Sequence, residues 1–246
     1  MFPEAPQKHL IRYLDSQSKA IVCLEPEVCC HLSGKVLHEL RVAIRRTRAA
    51  YWILRKSSPD NRFKKLDRDL KSLGKALGKV RELDVAIQDA SHYGIDSSKL
   101  KARRKVVQNR LRKRLSRDQR NRLGRRLSVA GQVASRISPL LFNEAHDNLR
   151  TWLNHVKRRR MHGQRRLHRL RVSIKKARYA LEAMGKPIGP IRSLQDLLGD
   201  AHDLEILRAL VGKNAKMKAE QRSLNDKALH LIEPVLQYTV NQLRKE

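Results

Sequence analysis

One fourteen-residue pattern occurs twice in the chain, and an internal repeat constrains the possible folds more than any other feature. The first copy is HELRVAIRRTRAAY at 38–51, and the second is HRLRVSIKKARYAL at 168–181. On a helix that advances about 100° per residue, the histidine and the spaced basic residues of each copy fall within an arc of roughly 80°. In the first copy an apolar flank adjoins this arc, formed by Leu37, Leu40, Ile44 and Tyr51. The repeat therefore predicts helices with one buried and one cationic face.

We call the cationic faces of the two copies the His/basic rows. Their members are His38, Arg41, Arg45 and Arg48 in the first copy, and His168, Arg171, Lys175 and Arg178 in the second. A charged helix face is usually only solvated surface, because Arg and Lys are good helix formers. Solvation does not require the same order of cations twice, so the duplication favours a binding function.

The net charge indicates the kind of partner. The 246 residues include 55 Lys plus Arg and 24 Asp plus Glu, which gives a formal charge of +31. Such an excess is self-repulsive in a compact protein unless an anionic partner offsets it, so we expect a large polyanion. Aromatic residues make up only 4% of the chain, which leaves few surfaces on which single-stranded bases could stack.

Cysteine usage and hydropathy suggest a reducing compartment. The three cysteines, Cys23, Cys29 and Cys30, form no C-x-x-C pair and no zinc spacing, so we interpret them as reduced core thiols. The N-terminal stretch has no signal-peptide pattern, and no run of 18 apolar residues could cross a membrane. We expect a cytoplasmic protein with no membrane partner.

The hydrophobic spacing predicts an all-α chain without strands. The predicted helical segments are 4–24, closed by Pro26; 38–56; one starting at Ser58-Pro59 with a seam from Phe63 to Val80; 96–136; 140–159; 168–184; short pieces at 194–198 and 203–211; and a long one from Ala215 with a kink or break at Pro234. We place the boundary between the halves at Ser138-Pro139, which gives regions 1–137 and 138–246.

A second motif also recurs, as LGKVRELDV at 77–85 and LGDAHDLEI at 198–206. We expect Gly78 and Gly199 to turn the chain and to begin new helices. Acids favour a helix start, and one acid of each pair could also hold an arginine of a His/basic row by a charge-assisted bond. These candidate orienting acids are Glu82, Asp84, Asp203 and Glu205.

A third set of cations has helical spacing but a weaker signal. It consists of Lys64, Arg68, Lys71 and Lys75. Such a row is more often plain surface than site, although it could form a second wall of a groove beside the first His/basic row.

Sequence motifs for catalysis are lacking. GKALGK at 74–79 is not a P-loop, because the glycines are one residue too close and Val80 replaces the metal-binding Ser or Thr. His155, His162 and His168 do not have the i, i+4 spacing of a helical metal site. We find no nucleophile and no acid/base pair to nominate, and we expect no enzyme activity, no cofactor and no metal.

The paired motifs in a basic, helical chain resemble the CHAD family, the conserved histidine α-helical domain. The resemblance extends over essentially all 246 residues, and implies two four-helix bundles related by pseudo-twofold symmetry, together forming one CHAD domain. It also implies a basic groove between them that binds inorganic polyphosphate, and association with polyphosphate granules. The family's histidine and basic positions match His38, Arg41, Arg45, Arg46, Arg48, His168, Arg171, Lys175, Lys176 and Arg178.

The second motif departs from the family pattern at several positions. Glu82 stands where the first copy usually has Asp, and the weaker second copy has Asp200, His202 and Glu205. Equivalent roles for the two acid pairs are therefore in doubt. The chain has no room for the triphosphatase domain fused to some members, so it resembles a stand-alone binding domain.

Two other functions stay open. A nucleic-acid binder could use the same basic helices on backbone phosphates, although neither row offers Asn or Gln for reading bases. A polyphosphate-cleaving enzyme would release phosphate with added magnesium. The oligomeric state and the preferred chain length do not follow from the sequence.

Overall fold

The computed structural model of the protein describes residues 6–30, 33–57, 61–115, 117–136, 138–158, 164–212 and 214–243. These residues form nine α-helices and no strand, which confirms the predicted all-α class. The helices are α1 Pro6–Cys30, α2 Gly34–Ser57, α3 Asn61–His92, α4 Ser98–Arg114, α5 Arg117–Ala134, α6 Pro139–Arg158, α7 Gln164–Ala183, α8 Gly189–Val211 and α9 Ala215–Gln242.

Helix α2 occupies a central position in the packing. It contacts α1 and α3 from its own half of the sequence and α6 and α7 from the other half. One cluster of buried apolar side chains extends through these helices, from Leu10 in α1 to Leu243 after α9. The first His/basic row is thereby carried on a helix fixed against both parts of the chain.

The heptad-like seam of α3 is buried as its spacing predicts. Phe63, Leu66, Leu70 and Leu77 are each at most 1% exposed. Side chains three and four residues apart share one helix face, so this seam fixes which side of α3 packs on α2.

Two prolines lie inside helices, and for Pro26, which was expected to end its helix, this contradicts the sequence prediction. Helix α1 continues through Pro26 to Cys30, and α9 continues through Pro234 without a break. A proline in a helix interior costs about 3 kcal/mol or more because one backbone bond is lost. In α1, Ile21 and Val28 are both fully buried on either side of Pro26, and burial of each side chain contributes about 1.5–3 kcal/mol. Packing on both sides therefore offsets the local cost.

Gly78 and Gly199 do not turn the chain, so that prediction is wrong. Helix α3 runs through Gly78, and α8 is one continuous helix where two short pieces were expected. Neither glycine has a positive φ; the described glycines that do are Gly94, Gly185 and Gly212, each next to a helix end. The acids that follow Gly78 and Gly199 consequently lie inside helices, away from the N-terminal end where the helix dipole favours them.

The basic segment predicted as one helix at 96–136 is two helices, α4 and α5. Leu115 ends α4 with its side chain buried, and its carbonyl accepts a hydrogen bond of 2.7 Å from Nη1 of Arg120 in α5. The break lets the apolar stripes of both helices reach the core, with Leu111 on α4 and Leu123 on α5 buried.

The predicted core position is wrong for the described cysteine. Cys23 is free but exposed, on the side of α1 away from the buried Ile21, and the side chains of Cys29 and Cys30 lie outside the described residues. Ser58-Pro59 and residue 137 also lie outside them. The division at 137/138 and the two-bundle arrangement stay predictions. Among the described helices, none combines the length and apolarity that a membrane span requires.

Candidate anion-binding site

The two His/basic rows meet where α2 packs against α7. Burial lowers the pKa of Arg41 to about 10, and the nearby Arg45 adds to the effect. Burial also lowers the pKa of Arg171 and brings that of Lys175 to about 7, again with Arg45 contributing across the helix pair. Arg41, Arg45, Arg171 and Lys175 are therefore within electrostatic reach of one another, and we call them the inner four.

The buried seams of the two helices explain this convergence. Leu40 and Ile44 on α2, and Leu170 and Ile174 on α7, are at most 1% exposed. Arg41 and Arg171 each follow a seam leucine by one residue, which is a rotation of about 100° on a helix. When the two seams pack against each other, both rows lie at the edge of the interface between α2 and α7.

The inner four form no ion pair with a carboxylate of the described residues. Arg41 donates from Nη1 to the carbonyl of buried Gly78 at 3.2 Å. The Nε of Arg171 is buried and has no hydrogen-bond partner in the described part of the chain. A buried donor without a partner costs about 1–3 kcal/mol. An anion that accepted a hydrogen bond from this donor would remove that cost.

The remaining basic residues of the repeat each have a partner, and we call them the outer four: Arg46, Arg48, Lys176 and Arg178. The Nε atoms of Arg46 and Arg178 are nevertheless buried without a hydrogen-bond partner in the described part of the chain. Arg46 forms an ion pair with Glu182, and Arg48 bonds Asp67 at 2.8 Å.

The two outer residues on α7 contact uncharged side chains in the described part of the chain. Arg178 donates from Nη1 to Oε1 of Gln195 at 3.2 Å, and its Cζ lies 4.8 Å from the centroid of the Tyr179 ring. The Lys176 ammonium is 3.4 Å from the Trp52 ring centroid, a cation–π contact. The repeat thus divides into available and occupied cations.

A cavity of about 470 Å³ opens between α2, α3 and α7, within the range of roughly 300–1,000 Å³ that is typical of ligand pockets. Among the described residues that line it, Asp67 is the only carboxylate, and it is held by Arg48. The lining residues are Arg45, Arg48, Ala49, Tyr51, Trp52, Phe63, Asp67, Arg171, Val172, Lys175, Lys176 and Tyr179. With the Arg48–Asp67 pair set aside, four basic side chains line the cavity, which makes it attractive to an anion.

The row histidines lie beside residues that the sequence analysis did not nominate. Partial burial lowers the pKa of His38, and Arg81 on α3 adds to the effect. His168 lies against His202 on α8, with ring centroids 5.6 Å apart. Arg81 and His202 hold the same position in the two copies of the second motif. Aligning the two copies was the signal that could have found both residues.

The candidate orienting acids have different partners. Glu82 and Asp203 lie near the inner four, because both oppose the lowering of the Arg41 and Arg171 pKa values. Asp84 instead pairs with Arg104 on α4, and Glu205 lies 3.2 Å from Nδ1 of His202. Glu205 also opposes the lowering of the Arg171 pKa, so both acids of the second pair lie near the rows, whereas in the first pair Asp84 is paired with α4.

The proposed second wall is exposed and does not line this cavity. Lys64, Arg68, Lys71 and Lys75 all lie on the solvent side of α3. Helix α3 contributes Phe63 and Asp67 to the cavity instead. His162 lies outside the described residues, and within them no cluster of three His, Cys, Asp or Glu could hold a metal ion.

Comparison with known proteins places this arrangement in a family. The CHAD domain profile matches residues 12–212. The chain belongs to the CHAD domain family. No curated protein matches the CHAD chain.

Two solved structures share the fold of this CHAD chain. The CHAD domain from the plant Ricinus communis is 20% identical with a TM-score of 0.60, and the match covers 98% of this chain and 92% of that one. PptA from Streptomyces chartreusis is 13% identical with a TM-score of 0.61, covering 98% and 99% respectively. These similarities establish the all-helical CHAD fold.

Proposed function

We propose that this CHAD chain binds inorganic polyphosphate in the groove between α2 and α7 and does not cleave it. The observation that carries the proposal is the convergence of the inner four, which lack ion pairs within the described residues. Two of them come from each copy of the repeat, so an anion held there would contact both.

Polyphosphate fits the chemistry of this groove. It is a flexible chain of repeated charges without bases, so its receptor needs several pre-placed cations and no reading surface. The planar guanidinium groups of Arg41, Arg45 and Arg171 can each donate two hydrogen bonds to one phosphate, while Lys175 supplies a point charge. The net charge of +31 would also attract a polyanion at long range.

Nucleic acid is the main alternative, and the aromatic residues argue against it. Binders of single strands stack bases on exposed rings. Trp52, the tryptophan of the cavity, has the Lys176 ammonium 3.4 Å from its ring centroid, so one side of this ring is already covered. At fixed salt, polyphosphate should displace labelled duplex DNA at a concentration far below that needed for the reverse displacement.

Mutations at the groove test the proposal directly. The double variant R41A/R171A should lower polyphosphate affinity at least about 100-fold, because each lost charge-assisted bond contributes roughly 1.5–3 kcal/mol. The matched control is R122A/R125A, which removes the same charge from exposed positions on α5. Equal losses in both variants, measured by titration calorimetry with unchanged helicity, would show that bulk charge governs binding and would refute the groove.

The absence of cleavage is part of the proposal and has its own test. Incubation with polyphosphate and magnesium should release no phosphate above the buffer rate, and sustained release would mean that the chain is an enzyme. On this proposal the protein would associate with polyphosphate granules in the cytoplasm, which a fluorescent fusion in cells would test.

A further inference from the structure

We propose that polyphosphate enters the groove together with a proton, and that the side chain of Lys175 accepts this proton. The inference rests on the proposed function and adds to it a pH dependence that belongs to one residue. It would make the groove's affinity respond to pH above neutrality.

The position of Lys175 supports this role. Its side chain lines the cavity and faces Arg41 and Arg45 on α2 and Arg171 one turn earlier on α7. Asp203 on α8 is the acid that acts on it, yet no carboxylate of the described residues forms an ion pair with its ammonium. The other charged groups of the cavity are Arg48, Asp67 and Lys176, of which Asp67 is held by Arg48.

The electrostatic consequence is a lysine that gives up its proton easily. Burial, then Arg171 and Arg45, lower the pKa of Lys175 to about 7, and Asp203 only partly opposes this. A phosphate chain in the cavity reverses the balance, because an anion next to the amine favours its charged form. Free protein above pH 7 holds Lys175 mainly as a neutral amine, and the complex holds it as ammonium.

The two copies of the repeat are unequal at this position. Arg45 occupies the matching place in α2, and an arginine stays charged at all physiological pH values. Only the lysine of the pair can change charge near neutrality. The groove consequently has three permanent cations and one that depends on pH.

The sign of the pH effect follows from linkage. Below about pH 7 Lys175 is already protonated in the free protein, so binding takes up no proton there and affinity is highest. Above pH 7 the proton must come from solvent, so affinity falls by up to about tenfold per pH unit until the pKa of the complex is reached.

Titration calorimetry tests this with a polyphosphate of defined length in two buffers of different ionisation enthalpy. At pH 8 the wild type should take up close to one proton per groove, and at pH 6 Lys175 should contribute almost none. K175R should lose that uptake at pH 8 and should bind more tightly than the wild type at pH 9. Equal uptake at pH 8 in both proteins would overturn the inference.

Three controls keep the outcome interpretable. Burial lowers the pKa values of His38 and His202 from the ordinary histidine value, so both rings are neutral at pH 8 in the free protein, and H202Q should retain the uptake. K175M, which also cannot take up the proton, serves if circular dichroism shows that K175R does not fold. Failure of the wild type to bind polyphosphate would refute the proposed function itself, whereas binding with uptake unchanged in K175R refutes only the role of Lys175.

Discussion

The inner four and the outer four come from the same repeated pattern but differ in what surrounds them. Arg41, Arg45, Arg171 and Lys175 face one another without ion pairs in the described structure, whereas Arg46 and Arg48 are held by Glu182 and Asp67. All eight residues are basic, so the difference between the two sets comes from the side chains that neighbouring parts of the structure place beside them. A cation's availability for a ligand is therefore a tertiary property, and the predictions below test whether it decides function.

The largest expected effect concerns affinity. R45A/K175A should weaken polyphosphate binding about 100-fold at pH 6, where Lys175 is charged in the free protein, because two available cations are lost. R48A/R178A removes the same charge but breaks contacts that these residues already make with Asp67 and Gln195, so we expect less than about tenfold weakening. Titration calorimetry at fixed salt measures both. Similar losses would mean that existing partners do not limit the outer four.

The salt dependence should separate the same two pairs. Each cation that neutralises a phosphate displaces a counterion, at a slope of about 0.7–0.9 in log affinity against log salt. R45A/K175A should reduce the slope by more than one at pH 6, and R48A/R178A by less than one. Fluorescence anisotropy with a labelled polyphosphate at several salt concentrations gives the slopes. A larger reduction in the outer pair would reverse our assignment of the contacts.

Stability should show the opposite ranking. R46A leaves the partly buried Glu182 carboxylate, whose side chain is 18% exposed, without its ion pair. We expect the free energy of unfolding to fall by about 1–3 kcal/mol, the cost of an unsatisfied polar group, while affinity changes by less than about threefold. Urea denaturation followed by circular dichroism measures the loss.

An exposed ion pair provides the control for R46A. Arg192 and Asp196 on α8 are 66% and 58% exposed, with 4.0 Å between Nε and Oδ2. R192A should leave stability nearly unchanged, because surface ion pairs contribute little. If R46A also left the free energy of unfolding unchanged, the Glu182 contact would have no structural role, and Arg46 would count among the available cations.

The smallest expected effect concerns Gly78, whose backbone carbonyl accepts the hydrogen bond from Arg41. A Cβ at Gly78 would lie 3.9 Å from the nearest atoms, the Nη2 of Arg41 and the Oε1 of Glu82, which is ordinary contact. G78A should therefore stabilise the helix by about 0.5–1 kcal/mol and change affinity less than twofold. G185A is the matched control and should destabilise, because Gly185 has φ +71°. A destabilised G78A would mean that this site needs glycine.

Periodicity predicted the elements that carry the site. The spacing of Leu37, Leu40 and Ile44 indicated a buried helix face, and all three are at most 1% exposed. The rule that proline and glycine end helices gave wrong predictions at Pro26, Gly78 and Gly199. Tertiary packing on both sides of these residues outweighs their cost in a helix. Such packing is a property of the assembled molecule, and single-sequence rules do not contain it.

The candidate site was predicted as a list of residues and not as an arrangement. Repetition identified the His/basic rows, since one pattern occurring twice is visible in the sequence. The division into inner and outer four was not visible in the sequence. The partners of the outer residues belong to no recognisable motif; they are Glu182, Asp67 and Gln195. That the rows bind polyphosphate, and that the inner four dominate, stay predictions.

The chain has two tryptophans, Trp52 and Trp152, and their rings are 5.2 Å apart beside the Lys176 ammonium. All of its indole fluorescence therefore originates next to the cavity. A ligand that draws Lys176 away from the rings would alter the emission of the unlabelled protein, so occupancy could be followed optically without any reporter group attached.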